Sequence, residues 1–219
     1  MDLETGTLFN VGISDLRPML DSPERARVVW SSIAEPGDRR TGTLVQELGP
    51  QAALRWATQP FLMPTLDGVP IADPESPSGA GLPHSGAGLR GLSRVWERVH
   101  QRLQPRIADF SYDKELSVLD AVGGRIIFPG DPHWPSKYAL LEERAPFPLW
   151  VTGTLPALSS PSVALVGARA ATSYGVAMAG TLGFDAASAG LTVISGGAFG
   201  IDAAAHRGAA PVAHSRPRP

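Results

Sequence analysis

The sequence contains no cysteine and only two lysines, Lys114 and Lys137. The absence of cysteine excludes disulfides and metal sites that use thiolate ligands. No run of about 18 apolar residues occurs, so we expect no transmembrane helix and no membrane partner. Residues 1–4 are acidic and lack the basic segment with which a signal peptide begins. Together these absences predict a cytoplasmic protein.

The overall composition is that of a globular protein. Hydrophobic residues make up 43% of the 219 residues, which is enough for a buried core. The net charge of −2 at pH 7 gives no indication of a nucleic-acid partner. The function therefore has to be sought in local motifs.

Three short helical patterns occupy the N-terminal part of the chain. Ser22 followed by Pro23 is typical of a helix start, and apolar residues then recur at helical spacing as far as Ile33. Further helices are predicted over 42–48 and 51–58. We interpret residues 1–66 as a small helical domain, either a cap or interaction module or a helix-hairpin-helix-like DNA contact that offers backbone N–H groups to phosphate.

The next part of the chain changes in composition. Residues 67–91 are rich in Gly, Pro and Ser and are predicted to be a linker or long loop without regular elements. Apolar spacing then predicts a helix over 92–103, ended by Pro105, and another over 112–122.

Four short apolar runs predict strands, over 125–128, 148–153, 162–167 and 191–195. The last two are continuously apolar, as is typical of strands buried on both faces of a parallel sheet. The alanine-rich segment between them predicts a helix over 173–189, ended by Gly190. Strand, glycine turn, helix and strand form a βαβ unit.

The first glycine-bearing loop, residues 167–175, follows a predicted strand and leads into a helix. A helix N-terminus presents unpaired N–H groups and partial positive charge, and is therefore a site where phosphate binds. Gly167 permits a sharp turn, and Arg169 adds a guanidinium group suited to phosphate oxygens. Thr172 or Ser173 is expected to cap the helix. An ordinary surface salt bridge is an equally good interpretation of Arg169.

The second loop, residues 195–202, also follows a predicted strand, and its three glycines would let the backbone close on a ligand. Ligands of open parallel sheets bind outside the carboxyl ends of the strands, so we expect the two loops to lie side by side. Phe199 is predicted either to stack on a base or to pack at the core or its rim. Asp202 and His206 are four residues apart, and this spacing fits structural hydrogen bonds better than a catalytic acid–base pair.

Several enzyme classes are disfavoured by the motifs. The first loop is not G-x-G-x-x-G, and Ser195 and the two glycines after it stand where a dinucleotide site needs an acidic residue. The sequence has no lysine-bearing P-loop, no His/Glu metal cluster and no serine nucleophile elbow. We therefore predict no catalytic residue, no metal and no cofactor.

The ordered motifs over 130–209 resemble those of the DNA-processing protein A family (DprA/Smf). The resemblance is carried by residues 130–135, 145–153, 163–175 and 195–209, and is weaker around residues 35–38. One departure is Ala168, which stands where the family usually has a small hydroxyl residue.

This resemblance implies an α/β protein with an N-terminal small helical (SAM/helix-hairpin-helix-like) domain and a partial extended Rossmann-like domain over 92–209. It implies a homodimeric, non-enzymatic mediator that binds single-stranded DNA, protects incoming DNA and helps to load the RecA recombinase in natural transformation. Together with the loop chemistry, it predicts DNA- and phosphate-binding residues in two groups. They are Gly167, Arg169, Thr172, Tyr174 and Gly175 in the first loop, and Ser195, Gly196, Gly197, Ala198, Phe199, Gly200, Ile201 and Asp202 in the second.

Two alternatives remain open at this stage. The first is a Rossmann-like nucleotide-binding enzyme of the lysine-decarboxylase-like (phosphoribohydrolase) type, for which Asp202 is the only nearby carboxylate. The second is a truncated, non-functional remnant, because residues 210–219 hold three prolines, depart from the family pattern and are predicted to be a disordered tail.

Overall fold

The computed structural model describes residues 16–76, 82 and 85–215. The chain folds as two compact units, Met1–Gly153 and Thr154–Pro219, called here the first and second units. Helices and short sheets occur together, so the chain belongs to the mixed α/β class. None of the described helices is long and apolar enough to cross a membrane.

The first unit begins with a compact helical module. A 3₁₀ turn, Arg17–Asp21, precedes α1 (Pro23–Ile33), α2 (Arg39–Leu48) and α3 (Pro50–Thr58). The predicted start of α1 is confirmed, because the Ser22 hydroxyl accepts a hydrogen bond from the Arg25 N–H at 3.3 Å. Helix α2 begins three residues earlier than predicted, directly after the turn at Gly37 and Asp38.

The segment predicted to be a linker holds regular structure. Strands β1 (Thr65–Leu66) and β2 (Val69–Pro70) form a hairpin whose turn residues, Asp67 and Gly68, have φ values of 51° and 81°. Such a turn matches the twist of paired strands. Ile71 is buried directly after the hairpin. Residues 77–81, 83 and 84 of the predicted linker lie outside the described residues.

Helix α4 (Gly86–Asp109) is much longer than the predicted helix and belongs to the first unit. Its start is capped by Ser85, whose hydroxyl accepts the Gly88 N–H at 3.1 Å. Pro105 lies inside the helix instead of ending it, because Ile107, two residues further on, is buried in the core. Burial of such a side chain offsets the hydrogen bond that a proline removes.

The core of the first unit joins α4 to the N-terminal helices. Trp30 of α1 and Trp96 of α4 are fully buried, and their indole N–H groups donate to the carbonyls of Pro50 and Ile71, both at 2.9 Å. The domain boundary predicted between residues 91 and 92 therefore falls inside one packed helical core, and the structure divides the chain at Gly153 instead.

The rest of the first unit is less deeply packed. Helix α5 (Tyr112–Ala121) has no buried residue. Strands β3 (Arg125–Ile127) and β4 (Leu149–Val151) pair antiparallel, with Ile126 opposite Trp150. A 3₁₀ segment, Ser136–Arg144, lies between them.

The second unit is the predicted βαβ unit followed by a further helix. Strand β5 (Ser162–Ala164), helix α6 (Ser173–Ser188), strand β6 (Thr192–Ile194) and helix α7 (Ile201–Ser215) follow in order, and β5 and β6 pair in parallel. The two strands are only partly covered, and Ile194 is 48% exposed. The expectation of strands buried on both faces is thus wrong for this unit, because α6 and α7 pack mainly on each other.

Helices α6 and α7 approach closely enough for backbone contact. A Cβ atom at Gly183 would lie 2.1 Å from the Ala205 carbonyl oxygen. Helix α7 also continues through Pro211 to Ser215, beyond the end predicted at residue 209. Alanine, the strongest helix former, flanks Pro211 and favours this continuation. Residues 216–219 of the predicted tail lie outside the described residues.

Candidate nucleic-acid interface

The two glycine loops lie side by side, as the sequence predicted. The Ile201 N–H donates to the Ala168 carbonyl oxygen at 3.3 Å. Gly200 has a φ of +82°, and a Cβ atom there would lie 2.3 Å from the same oxygen and 2.4 Å from that of Arg169. Only glycine combines this backbone conformation with so close an approach.

Asp202 joins the loops through its side chain. It is 4% exposed; its Oδ1 atom accepts the Gly167 N–H at 3.2 Å, and its Oδ2 atom accepts the N–H groups of Gly196 at 2.9 Å and Ala198 at 3.4 Å. The structural role predicted for Asp202 is confirmed, although its partners span both loops instead of capping one helix. These three N–H groups bind the carboxylate, so they are not free to bind a phosphate.

Ile201 fills the space between two glycines of the first loop. A Cβ atom at Gly167 would lie 2.8 Å from Ile201 Cγ1, and one at Gly175 would lie 3.3 Å from its Cδ1 atom. Gly167 was predicted to serve a sharp turn, but it does not have a positive φ. Its small size is needed because Ile201 packs against it.

The start of α6 is capped as predicted. Thr172 is the N-cap residue, and its hydroxyl accepts the Gly175 N–H at 3.1 Å. This bond occupies one of the four N–H groups that a helix start leaves without an intrahelical partner. Thr172 therefore acts on the shape of the loop, and the phosphate contact predicted for it depends on its remaining lone pair.

The Ser195 side chain of the second loop is held by His206 of α7. Its Oγ atom lies 2.6 Å from His206 Nε2 and accepts the Gly197 N–H at 3.1 Å. Gly197 has a φ of +67°, so this bond closes a tight turn that glycine favours. The four-residue spacing in the sequence suggested that His206 would contact Asp202. In the structure the partner of His206 is instead Ser195. Only the fold brings these residues together, since they are 11 positions apart.

Three side chains of the loops project into solvent. Phe199 is 84% exposed and Tyr174 is 75% exposed, so neither packs in the core. Arg169 is also exposed, and no carboxylate of the described residues forms an ion pair with it. Of the alternatives that the sequence left open, the core position for Phe199 and the surface salt bridge for Arg169 are both absent from the described structure.

The loops thus present aromatic rings, one guanidinium group and a helix start on a backbone that is fixed internally. Asp202 is buried, and backbone N–H groups take three of the roughly four acceptor positions of its carboxylate, so it is poorly placed to act as a general base. Within the described residues, no three His, Asp or Glu side chains gather as a metal would require. The arrangement suits binding better than acid–base chemistry.

Comparison with known proteins relates the chain to a known family. The model of the family described as DNA recombination-mediator protein A matches residues 125–215, and so extends past the point where the sequence pattern was expected to end. Two curated relatives from two strains of Mycobacterium tuberculosis, each named "Putative DNA processing protein DprA", are 32% identical over 203 residues. The match covers 87% of this chain and 44% of each relative, so the chain spans less than half of their length. Residues 125–215 therefore match the DNA recombination-mediator protein A family, and the chain as a whole is similar to the two relatives named DprA.

Proposed function

We propose that the chain binds single-stranded DNA through the two loops of the second unit, as part of a recombination mediator. The observation that carries the proposal is the exposure of Phe199 and Tyr174 on loops that are fixed to each other. Base–aromatic stacking contributes about 1–3 kcal/mol per base and tolerates any sequence, because every base has a π face. An aromatic ring that is 84% exposed in the free protein gains apolar contact when a base stacks on it.

The rigidity of the loops supports this role. The Asp202 carboxylate and the Ile201 side chain hold both loops before any ligand arrives. A preformed surface loses less conformational entropy on binding than a mobile one. Bases could therefore stack without first ordering the backbone.

Phosphate contacts are expected at the rim, outside the hydrogen bonds of Asp202. Arg169 supplies a planar guanidinium group with no ion-pair partner among the described residues, and α6 begins four residues after it. Helix starts and arginine both favour phosphate oxygens. The loss of a hydroxyl at Ala168 removes one further contact, so Arg169 has the larger share of the electrostatic attraction.

The parallel pairing of β5 and β6 around α6 supports a Rossmann-like second domain, and the helices of the first unit fit a SAM-like or helix-hairpin-helix-like module. In this proposal the protein works in the cytoplasm as a homodimer without catalytic residue or cofactor, protects incoming DNA and helps to load RecA in natural transformation. The family's description as a recombination mediator supports this role. The phosphoribohydrolase alternative is not favoured, because it needs a free carboxylate and Asp202 is bound on both oxygens.

The proposal is tested by titrating a fluorescent single-stranded oligonucleotide at low and high salt. We expect binding that weakens steeply with salt, and weaker binding by Arg169→Ala. Arg55→Ala is the matched control, because Arg55 is exposed on α3 in the other unit. A folded wild-type chain that binds no oligonucleotide at low salt would contradict the proposal.

A further inference from the structure

Helix α4 has an arginine at every fourth position along most of its length. The residues are Arg90, Arg94, Arg98, Arg102 and Arg106. Four residues advance a helix by about 6 Å, so the row extends for roughly 24 Å. Like charges at this spacing repel each other and destabilise a helix. The row therefore needs an explanation other than the stability of α4.

The last two arginines have structural partners. Arg102 pairs with Asp38, and Arg106 pairs with Glu35 and donates to the Ile33 carbonyl. Both carboxylates lie at the connection between α1 and α2. These two pairs fasten α4 to the helical module, so they account for the C-terminal part of the row.

The first three arginines have no such partner. Arg90, Arg94 and Arg98 are exposed, and none of them forms an ion pair with a described carboxylate. At about 100° per residue, Arg94 lies opposite the side of α4 that buries Leu92 and Trp96. The charge of Arg98 helps to lower the pKa of Asp73, but Asp73 is already bound by Arg40 through two hydrogen bonds of 2.9 and 3.1 Å.

The surroundings of the three arginines suit an extended polyanion. No acidic residue occurs over 76–96. The outward positions between the arginines are small or polar, and a Cβ atom at Gly91 would have no neighbour within 4 Å. Protein–protein interfaces are built around an apolar or aromatic centre, which this face lacks. Contacts to a phosphate backbone need only well-placed cations.

We propose that Arg90, Arg94 and Arg98 form a second nucleic-acid-binding surface, on α4 of the first unit, which binds the phosphodiester backbone without reading the bases. Their 6 Å spacing along the helix (four residues at about 1.5 Å each) lets successive guanidinium groups reach successive phosphates. Glu97 is the carboxylate on the same exposed face, and it weakens this surface. The proposal stands on α4 alone and does not depend on the loops of the second unit.

The test measures oligonucleotide affinity against salt for the full chain and for a triple variant, Arg90→Ala, Arg94→Ala and Arg98→Ala. Each phosphate contact contributes roughly 0.7 to the slope of log K against log salt for single strands, so the slope should become shallower by about 2. The triple lysine variant should keep most of the slope, Glu97→Gln should bind more tightly, and Arg55→Ala should match the wild type. The unfolding temperature of the triple alanine variant should be equal to or slightly higher than that of the wild type, because the repulsion between the arginines is removed.

The same titration separates this surface from the loop site. A triple alanine variant with the wild-type slope overturns the α4 surface and leaves the loop proposal intact. A shallower slope in that variant, together with no effect of Arg169→Ala, supports α4 and contradicts the loop proposal. If poly-glutamate of equal charge, at equal concentration, displaces the oligonucleotide from the Arg169→Ala variant, the α4 surface is assigned to an acidic protein partner instead of nucleic acid. A wild-type chain that binds no oligonucleotide also overturns the α4 assignment.

Discussion

The Oδ1 atom of Asp202 lies 3.2 Å from the backbone nitrogen of Gly167, 35 positions earlier in the chain. The other carboxylate oxygen accepts N–H groups of the second loop, so one buried side chain fixes both loops. Backbone N–H groups at such loops usually await a phosphate. Here the Asp202 carboxylate stands in the place of a phosphate, so in the proposed complex a DNA phosphate would contact Arg169 instead.

Asp202→Asn should destabilise the second unit. The amide offers one acceptor oxygen and turns an NH₂ group toward the N–H groups of Gly167 or Gly196. A buried donor left without a partner costs about 1–3 kcal/mol. Thermal unfolding followed by circular dichroism measures this loss. Asp185→Asn is the control, because Asp185 is exposed on α6; equal unfolding midpoints for the two variants would show that the Asp202 bonds do not stabilise the fold.

Phe199→Ala should weaken single-stranded DNA binding without changing stability. The ring is 84% exposed, so its removal leaves no cavity. Loss of one stacked base corresponds to about 1–3 kcal/mol, or roughly 5- to 150-fold in Kd. Phe184→Ala is the matched control, since Phe184 is 49% exposed on α6 and lies outside the loops. If both variants lose affinity equally, Phe199 does not stack on DNA.

His206→Gln should preserve the second loop, whereas His206→Asn should not. The contact to Ser195 uses His206 Nε2, and the glutamine side chain reaches further than that of asparagine. Amide exchange of Gly197, whose N–H donates to Ser195, reports on the loop directly. Faster exchange in His206→Ala and His206→Asn, with protection restored in His206→Gln, is the expected pattern. Equal exchange in all variants would assign His206 no role in positioning Ser195.

Gly183→Ala should destabilise the packing of α6 on α7, and Gly180→Ala should not. The new methyl group at Gly183 would lie 2.1 Å from the Ala205 carbonyl oxygen, which forces the helices apart at a cost of about 1–3 kcal/mol. At Gly180 the nearest atom would be 3.8 Å away, an ordinary contact, and alanine favours the helix by up to about 1 kcal/mol. Chemical denaturation distinguishes the two variants. Similar midpoints for both would contradict the close approach of the helices.

The first unit should lose stability in acid. Burial alone would raise the pKa of Asp73, but hydrogen bonds from Arg40 and the Glu75 N–H, with the nearby charges of Arg40 and Arg98, lower it below its ordinary value. A carboxyl group whose pKa is lowered by folding stabilises the protein above its unfolded pKa, near 4, and this contribution is lost as the pH falls through the folded pKa.

Unfolding temperatures between pH 7 and pH 3 test this linkage. Asp73→Asn should lower stability at pH 7 and reduce its dependence on pH below about 4. Asp67→Asn is the control, because Asp67 has a φ of 51° in the hairpin turn, a conformation that asparagine also tolerates. An acid profile that is unchanged in Asp73→Asn would show that this group does not carry the linkage.

Local signals in the sequence predicted the short elements well. The caps at Ser22 and Thr172 and the βαβ order of the second unit follow from interactions within a few residues and from the period of apolar side chains. The side-by-side loops also followed, because parallel strands bring their carboxyl ends to one edge. The arginine row of α4 is visible in the sequence, but the sequence does not show which arginines are paired.

The predictions that failed concern positions where distant residues compete with local preference. Glycines at 86, 88 and 91 and Pro105 disfavour a helix, yet α4 runs through all of them. The burial of Trp96 and Ile107 against α1 and α3 supplies free energy that no short window of sequence contains. The same reason explains the misplaced domain boundary, since the predicted linker and α4 join a core built from residues 16–71.

The sequence by itself determined the starts of α1 and α6, the strand order, the glycine loops and the family resemblance, because each depends on residue type and spacing along the chain. Only the tertiary structure decided that Asp202 binds both loops, that His206 meets Ser195, that Phe199 points into solvent and that Arg90, Arg94 and Arg98 are left unpaired. These outcomes depend on distances between residues that are far apart in the chain. Burial and hydrogen bonding fix such distances only when the whole unit has folded.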